Sequence, residues 1–167
     1  MTVAELRSGL QGGRQRLFAE IRGLAEEQFR HVPAGEEWCI AAHLAHLLRV
    51  ERVFVDRARA ALTQDEPQVA STHVANDDDP GLAQRLAVPQ IIHGMQAARR
   101  ELDELLAGCD EQQIARAIRH ERLGRMTVAQ MAAKLARHDD EHAADVACLA
   151  RQAPSGGRVI IPLRRRS

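Results

Sequence analysis

The segment TVAQMAAKLARHDDEHAADVACLARQ, residues 127–152, has the clearest helical pattern in the chain. Its apolar residues recur at alternating spacings of three and four, which is typical of a helix with one buried face. Thr127 and Gln130 form a capping box, so we expect the helix to begin there and to run to about Gln152. His138 and His142 lie on the buried face, at positions where leucine would be expected. The segment therefore predicts a long helix that carries polar side chains into a protein core.

Three other segments have the same periodicity and complete an all-α fold. The predicted bounds are Thr2 to about Phe29, Glu37 to Leu62, and Asp79 to Gly108 with a kink or restart at Pro89. A short helical piece is expected from Asp110 to His120, and a polar connection covers residues 64–79. Four long helices with one long connection predict a four-helix bundle with a crossover. We expect residues 1–153 to form a single domain and residues 154–167 to form a C-terminal tail.

The composition supports this class and excludes several others. Among the 167 residues are 28 alanines but only three Phe, one Trp and no Tyr, which favours helices over strands. The 23 basic and 23 acidic residues balance, which argues against nucleic acid as a partner. There is no apolar run of about 18 residues that would predict a membrane span and no pattern of a signal peptide. Arginine outnumbers the single lysine, Lys134, which is typical of a GC-rich bacterial genome.

The three cysteines indicate a reducing compartment. Cys39, Cys109 and Cys148 are odd in number, widely spaced and without a CxxC motif. We therefore interpret them as reduced thiols that serve as small apolar side chains. The expected location is the cytoplasm.

The histidines are the residues that point to chemistry. His138 and His142 are four residues apart, so both rings project from one side of a helix, about 6 Å apart, and could share one cation. The alternative is a pair of satisfied or exposed histidines without a ligand. The second helix offers a third ligand from His43 or His46, and helical periodicity alone places His43 nearer to the centre of the apolar stripe. The other four histidines, His31, His73, His93 and His120, lie near helix ends or off the core stripe, and we expect no direct chemistry from them.

Two short motifs resemble the DinB/YfiT-like superfamily of metal-dependent enzymes. Residues 38–47, WCIAAHLAHL, resemble its first motif, in which a Trp precedes a His-Leu pair by eight residues. Residues 126–130, MTVAQ, followed by HDDEH at residues 138–142, resemble its second motif, a capped helix with H-x3-H. The resemblance extends over nearly the whole chain in order, length and number of helices.

The resemblance implies a four-helix bundle, often dimeric, with a three-histidine site for a divalent metal such as zinc or nickel. Carried over by position, the metal ligands would be His46, His138 and His142. His43 replaces a position that is usually apolar in the family, so it is left as a neighbour of the ligands, a core residue or an alternative ligand. Because some relatives use mycothiol or bacillithiol, a low-molecular-weight thiol is an expected partner of an otherwise unknown small-molecule substrate.

Three neutral imidazoles would leave a fourth coordination position open, as in catalytic zinc sites. There the cation could lower the pKa of bound water toward about 7, or hold a thiolate as nucleophile. Glu51, inside the apolar stripe of the second helix, is the candidate general base or acceptor, with a surface ion pair to an arginine as the alternative. Asp145, three residues after His142, has the same ambiguity. Trp38 is expected to be a core anchor.

Two rival metal motifs do not fit. His138 to His142 matches the H-x-x-E-H string of some zinc proteases, but no Glu follows Glu141 to complete that site. A di-iron bundle needs E-x-x-H pairs, and no histidine here has a glutamate three residues before it. The sequence thus predicts a metal-dependent hydrolase or thiol-dependent transferase. The alternatives are a bundle that binds metal for a structural or stress-related role, and a bundle without metal.

Overall fold

The computed structural model describes residues 1–71, 83 and 85–154, most of them in helices. The helices are α1 (Val3–Glu20), α2 (Glu26–Arg30), α3 (Ile40–Thr63), α4 (Val88–Ala107), α5 (Glu111–Ile114) and α6 (Val128–Gln152). The strands are β1 (Gln68–Val69), β2 (Ala117–His120) and β3 (Gly124–Thr127). Among the described helices, none combines the length and the apolarity that a membrane crossing requires.

The four long helices form the predicted four-helix bundle. Helix α1 packs along α6, and α3 packs between α4 and α6. The core has two parts. One part includes Leu17, Leu44, Ile91 and Val146, and the other includes Leu10, Phe54, Leu102 and Leu135. Each of the four long helices contributes to both parts, so the apolar stripes read from the sequence are the surfaces that hold the bundle together.

Both predicted capping boxes are confirmed. The Thr2 hydroxyl accepts a hydrogen bond from the Glu5 amide at 3.2 Å, and the Glu5 carboxylate accepts one from the Thr2 amide at 2.7 Å. Thr127 and Gln130 form the same reciprocal pair: the Thr127 hydroxyl accepts from the Gln130 amide at 3.1 Å, and the Gln130 side-chain oxygen accepts from the Thr127 amide at 2.9 Å. These bonds satisfy amide groups that the first turn of a helix leaves without partners.

The prediction of one long N-terminal helix is wrong. Helix α1 ends at Glu20, and α2 forms separately after a turn that contains Gly23 with a positive φ of 79°. A residue without Cβ adopts this backbone conformation readily, so the chain can turn there. Phe29 is still buried in the core, which explains why the apolar spacing continued past the turn.

The other helix ends lie close to the predicted ones. Helix α3 begins at Ile40, three residues later than expected, with Cys39 as its N-cap. Pro89 lies in the first turn of α4, so it starts this helix, and Gly108 caps its end as predicted. The predicted Asp79-Pro80 start and residues 155–167 of the predicted tail lie outside the described residues.

The helix predicted from Asp110 to His120 is replaced by α5 and a strand. Strand β2 pairs antiparallel with β3, with Ile118 opposite Met126, and parallel with β1, with Val69 opposite His120. Gly124, with a positive φ of 69°, begins β3. The sheet closes one side of the bundle beside α3 and α6.

Candidate metal centre

Helices α3 and α6 bring three of the predicted histidines together. His46, His138 and His142 each offer one ring nitrogen, and these nitrogens all lie within 4.8 Å of one another. The Nε2 atoms of His46 and His138 are 3.0 Å apart. Tetrahedral zinc with Zn–N bonds of about 2.0–2.1 Å places its nitrogen ligands about 3.3–3.4 Å apart. The described histidines therefore fit a single divalent cation with little rearrangement.

His43 lies beside this group and forms a second one. Its Nδ1 is 2.7 Å from the Nδ1 of His142, and His43, His142 and Asp145 make up a further set of possible ligands. Helical periodicity placed His43 nearer to the core than His46, and His43 is indeed the more buried of the two. Burial thus favours His43, whereas the candidate ligand set that contains both His138 and His142 includes His46.

Burial keeps the ring of His142 neutral. It lowers the pKa of His142 to about 3, with the neighbouring rings of His138, His43 and His46 adding to the effect. The pKa of His43 is also lowered, first by burial, while the Asp145 carboxylate opposes the shift. A metal ligand has to be the neutral imidazole, so at neutral pH His142 has no proton to lose before it can bind a cation.

Acidic side chains flank both histidines of α6. The Glu141 carboxylate lies 3.5 Å from Nδ1 of His138, and the Asp145 carboxylate lies 3.9 Å from Nδ1 of His142. A carboxylate behind a metal-bound imidazole fixes its orientation and raises its basicity. The i, i+3 spacing in the sequence predicts such a pair for Asp145 and His142, and the same spacing relates Glu141 to His138.

Trp38 packs against the histidines, whereas the sequence predicted a core anchor. Its ring contacts His43 and His46 edge-on, with centroids 5.1 and 5.2 Å apart, and stacks over His142 at 6.4 Å. The indole is only half-buried. It forms a wall of the site and restricts the orientations of three imidazole rings.

Glu51 lies in the core and not at the surface. One carboxylate oxygen bonds to Nη2 of Arg14 at 2.8 Å, and the other bonds to Nε of Arg99. The same two arginines bond to Asp139, at 3.2 Å from Arg14 Nη2 and 2.8 Å from Arg99 Nη2. We call these four side chains the core quartet. Both Glu51 oxygens are thus held by guanidinium groups.

The core quartet was not found from the sequence, although a signal was present. Arg14 lies between Leu10 and Leu17 on the stripe of α1, and Arg99 lies between Met95 and Leu102 on the stripe of α4, both at spacings of four and three. Asp139 similarly follows Leu135 by four residues. Two basic and two acidic residues on four different stripes predict mutual pairing, because a buried charge needs a partner.

A cavity of about 480 Å³ opens beside the metal centre. Its described lining includes the predicted ligands His46 and His138, together with Val50, Val53, Phe54, Arg57, Ser71, His120, Arg122, Leu123, Met126, Met131, Lys134 and Leu135. A second cavity, of about 440 Å³, lies beside His43 and Asp145 and is also lined by Cys148. His120, for which the sequence predicted no direct chemistry, is therefore a lining residue, while His73 lies outside the described residues.

Fold and site together define a class: a four-helix bundle with a three-histidine candidate metal site built from two of its helices. The sequence profile of the DinB superfamily matches residues 10–146. Since this range is most of the chain, the protein belongs to the DinB superfamily. No curated protein sequence matches the chain.

Solved structures share the fold. The chain is similar to YfiT from Bacillus subtilis, described as a probable metal-dependent hydrolase with an unusual four-helix bundle topology, at a TM-score of 0.78 and 16% identity over 89% of this chain and 86% of YfiT. It is also similar to the mycothiol-dependent maleylpyruvate isomerase, at a TM-score of 0.73 and 14% identity, over 87% of this chain but only 61% of the isomerase. The four-helix bundle protein TT2238 matches at a TM-score of 0.62 and 19% identity, over 87% of this chain and 97% of TT2238. At these identities the similarity establishes the fold alone.

Proposed function

We propose that the protein is a metal-dependent enzyme in which His46, His138 and His142 hold one divalent cation, with zinc or nickel expected. The observation that carries the proposal is the convergence of three ring nitrogens within 4.8 Å of one another at the edge of a 480 Å³ cavity. Imidazole suits both metals. A site with three protein ligands leaves room for a substrate at the metal, and the cavity gives that substrate a place to bind.

When bound, the cation would supply Lewis acidity to a substrate held in the cavity. The chain's own residues would prepare the site. The lowered pKa of His142 keeps its ring neutral, and Glu141 supports His138 from behind. Trp38 packs against the rings and limits access of water from its side. Together these contacts hold the three nitrogens close together before the metal arrives.

We assign Glu51 to the packing of the bundle and not to proton transfer. Both of its carboxylate oxygens bond to arginines, and the side chain is fully buried. A general base has to be within hydrogen-bond reach of the proton that it takes. Glu51 is instead separated from the cavity, whose described lining does not include it.

Two reactions suit this site: hydrolysis, and transfer through a low-molecular-weight thiol. YfiT is described as a probable metal-dependent hydrolase, and the isomerase of the same fold depends on mycothiol. An open metal position can activate either water or a thiolate. A non-catalytic bundle that binds metal for structure or in stress has the same ligands, and only an assay of activity separates it from the enzyme.

Metal content tests the proposal most directly. After loading with Zn²⁺ and removal of excess, the purified wild-type protein should contain one metal ion per chain. His46→Ala and His138→Ala should each lose most of it. His93→Ala, which removes an exposed histidine from α4, is the matched control and should retain it. Wild-type protein with no more metal than the His138→Ala variant would overturn the assignment.

A screen of ester, amide and thiol-transfer substrates with the same proteins then tests catalysis. Activity that is present in the zinc-loaded wild type and His93→Ala, and absent in His138→Ala, supports an enzyme. Full metal loading of the wild type without activity on any substrate class favours the structural alternative, particularly if zinc-treated His46→Ala melts at a lower temperature than the zinc-loaded wild type.

A further inference from the structure

The cavity beside the metal centre is elongated along two helices. Helix α3 contributes His46, Val50, Val53, Phe54 and Arg57, whose spacings of four, three, one and three place them on one face. His46 and Arg57 are eleven positions apart in the sequence, which corresponds to about 16 Å of helix rise. The cavity therefore begins at the metal ligands and extends three turns along the helix, well beyond the reach of the metal.

Helix α6 and the β2–β3 hairpin line the opposite side. Lys134 lies one turn before His138 on α6, about 6 Å along the helix, and Met131 lies another turn away. His120 comes from β2 and Arg122 from the turn that follows it. We call the region of Arg57, His120 and Lys134 the hairpin end of the cavity, as opposed to the metal end at His46 and His138.

The described charged side chains that line the hairpin end are basic. Arg57, Arg122 and Lys134 all line the cavity, and its described lining contains no acidic residue, in a chain with no net charge overall. Glu121 is the adjacent acidic side chain, and its carboxylate accepts a hydrogen bond from the Ser71 amide at 2.9 Å. Within the part of the chain that the structure describes, Lys134 forms no salt bridge or hydrogen bond.

His120 supplies a fixed hydrogen-bond donor among these charges. Its Nδ1 accepts hydrogen bonds from the amides of Arg122 and Leu123, at 3.1 and 3.2 Å. A nitrogen that accepts cannot carry the proton of a neutral imidazole, so that proton is on Nε2. Burial lowers the pKa of His120, and the nearby charges of Arg57 and Lys134 lower it further, against the opposing effect of the Glu121 carboxylate, so the ring is neutral at pH 7.

The Nε2 atom of His120 faces the cavity. Among the described residues, every fully buried side-chain nitrogen or oxygen has a hydrogen-bond partner. Nε2 of His120 has none in this part of the chain, so it is accessible to solvent, and the cavity is the space that this nearly buried ring lines. The hairpin end thus holds one neutral donor beside basic side chains, which is an arrangement that suits a carboxylate.

We propose that this cavity binds a small organic anion, with its carboxylate at the hairpin end against His120 and Lys134 and its apolar body along Val53 and Phe54 toward the metal end. The proposal deepens the proposed function, since it names the substrate class of the same site. A cavity of about 480 Å³ lies within the size range of small-molecule sites, about 300–1,000 Å³. An apolar wall with a few fixed polar groups at one end is their usual composition.

Three probes of equal length test the proposal: hexanoate, 1-hexanol and hexylammonium, titrated by ligand-detected NMR into the full chain with and without Zn²⁺. We expect hexanoate to bind more tightly than hexanol, and hexylammonium to bind most weakly, in both forms of the protein. The nitrogen resonance of His120 Nε2–H should shift on addition of hexanoate. Equal binding of the three probes to both forms would overturn the proposal.

Variants locate the carboxylate. His120→Asn retains an acceptor for the two amides but removes the Nε2 donor, and should weaken hexanoate binding about tenfold without affecting hexanol. Lys134→Gln should weaken it about fivefold. Arg137→Gln, which removes an exposed charge from the same helix outside the cavity lining, is the control and should have no effect.

The two forms of the protein separate this proposal from the metal site. Hexanoate binding that requires Zn²⁺ and is unaffected by His120→Asn and Lys134→Gln would place the carboxylate on the metal and refute the inference, while the metal site stands. A protein that binds no metal but prefers hexanoate through His120 would refute the proposed function and support the anion site.

Discussion

Replacing Glu51 by glutamine should destabilise the bundle strongly and leave its metal content unchanged. In the wild type, the two arginines and two carboxylates of the core quartet balance to zero net charge. Glu51→Gln keeps the shape of the side chain but leaves one guanidinium charge uncompensated in the core. Glu51 is 0% exposed and Asp139 is 0% exposed, so water cannot take over the lost interaction.

The expected size of the effect follows from this burial. Removing one partner of a buried ion pair costs about 3–5 kcal/mol, because the remaining charge is stranded. Here both arginines lose a partner, since Arg14 and Arg99 each bond to Glu51. For a chain of this size about 1 kcal/mol shifts the melting temperature by roughly 2–4 °C, so the melting temperature should fall by roughly 6–20 °C.

Urea unfolding of the metal-free protein, followed by far-UV circular dichroism, measures the loss. The matched control is Glu101→Gln, which removes a carboxylate of the same type from an exposed pair with Arg59, where both side chains are about half exposed. Exposed pairs contribute about 0–1 kcal/mol, so the control should lose little stability. Zinc content of both variants should equal that of the wild type.

A loss for Glu51→Gln no larger than for Glu101→Gln would refute the reasoning. If activity then fell as well, Glu51 would be the general base that the sequence first suggested. Should Glu51→Gln fail to fold, the double variant Glu51→Gln/Arg99→Gln provides the test, because it restores a neutral core. It should fold, and its melting temperature should lie above that of any folded Glu51→Gln protein, because the one remaining arginine is paired with Asp139.

Three further predictions concern the same structure. His46→Ala should abolish stoichiometric zinc binding while His43→Ala retains it, as measured by elemental analysis; the reverse would exchange their roles. The pKa of His120 is lowered in the folded state, so on acidification the unfolded chain takes up a proton at this residue first. The stability that depends on the neutral ring is therefore present above about pH 6.5 and lost as the pH falls. In urea unfolding between pH 7 and 5, the stability of His120→Asn should be less sensitive to acid than that of the wild type. Gly13→Ala should lower the free energy of unfolding, measured by thermal unfolding, by about 1–3 kcal/mol, because an added Cβ would lie 3.0 Å from a backbone carbonyl oxygen of α6. The control is Gly9→Ala in the same helix, whose added Cβ has no atom within 4 Å and which should leave stability unchanged or raise it.

The sequence predicted the parts of this protein that depend on helical periodicity and local hydrogen bonds. The face of α6 that carries His138 and His142 follows from spacing alone, and the two capping boxes follow from pairs three residues apart. These features are local, so a single segment contains all the information that they need. The choice between His43 and His46 is not of this kind, since it depends on how α3 is rotated against α6.

The features that the sequence did not reveal arise between segments. Strands β2 and β3 have four residues each, too few for a period to be recognised, and a strand becomes stable only through its neighbours. The turn at Gly23 interrupts an apolar pattern that continues on both sides of it. The sequence alone does not predict a role for His120, because the two backbone amides and the cavity that it contacts come together only in the folded hairpin.

The core quartet offers a way to align the helices of the proposed metal site in a protein with few aromatic residues. A core made mainly of alanine and leucine has few large side chains to fix how one helix slides along another. The quartet takes one charged residue from each long helix, so sliding any helix by one turn, about 5.4 Å, would break ion pairs in the core. Asp139 directly follows His138, and Glu51 lies on the helix that carries His46. The same bonds that neutralise the buried charges therefore set the register of the two helices whose histidines meet.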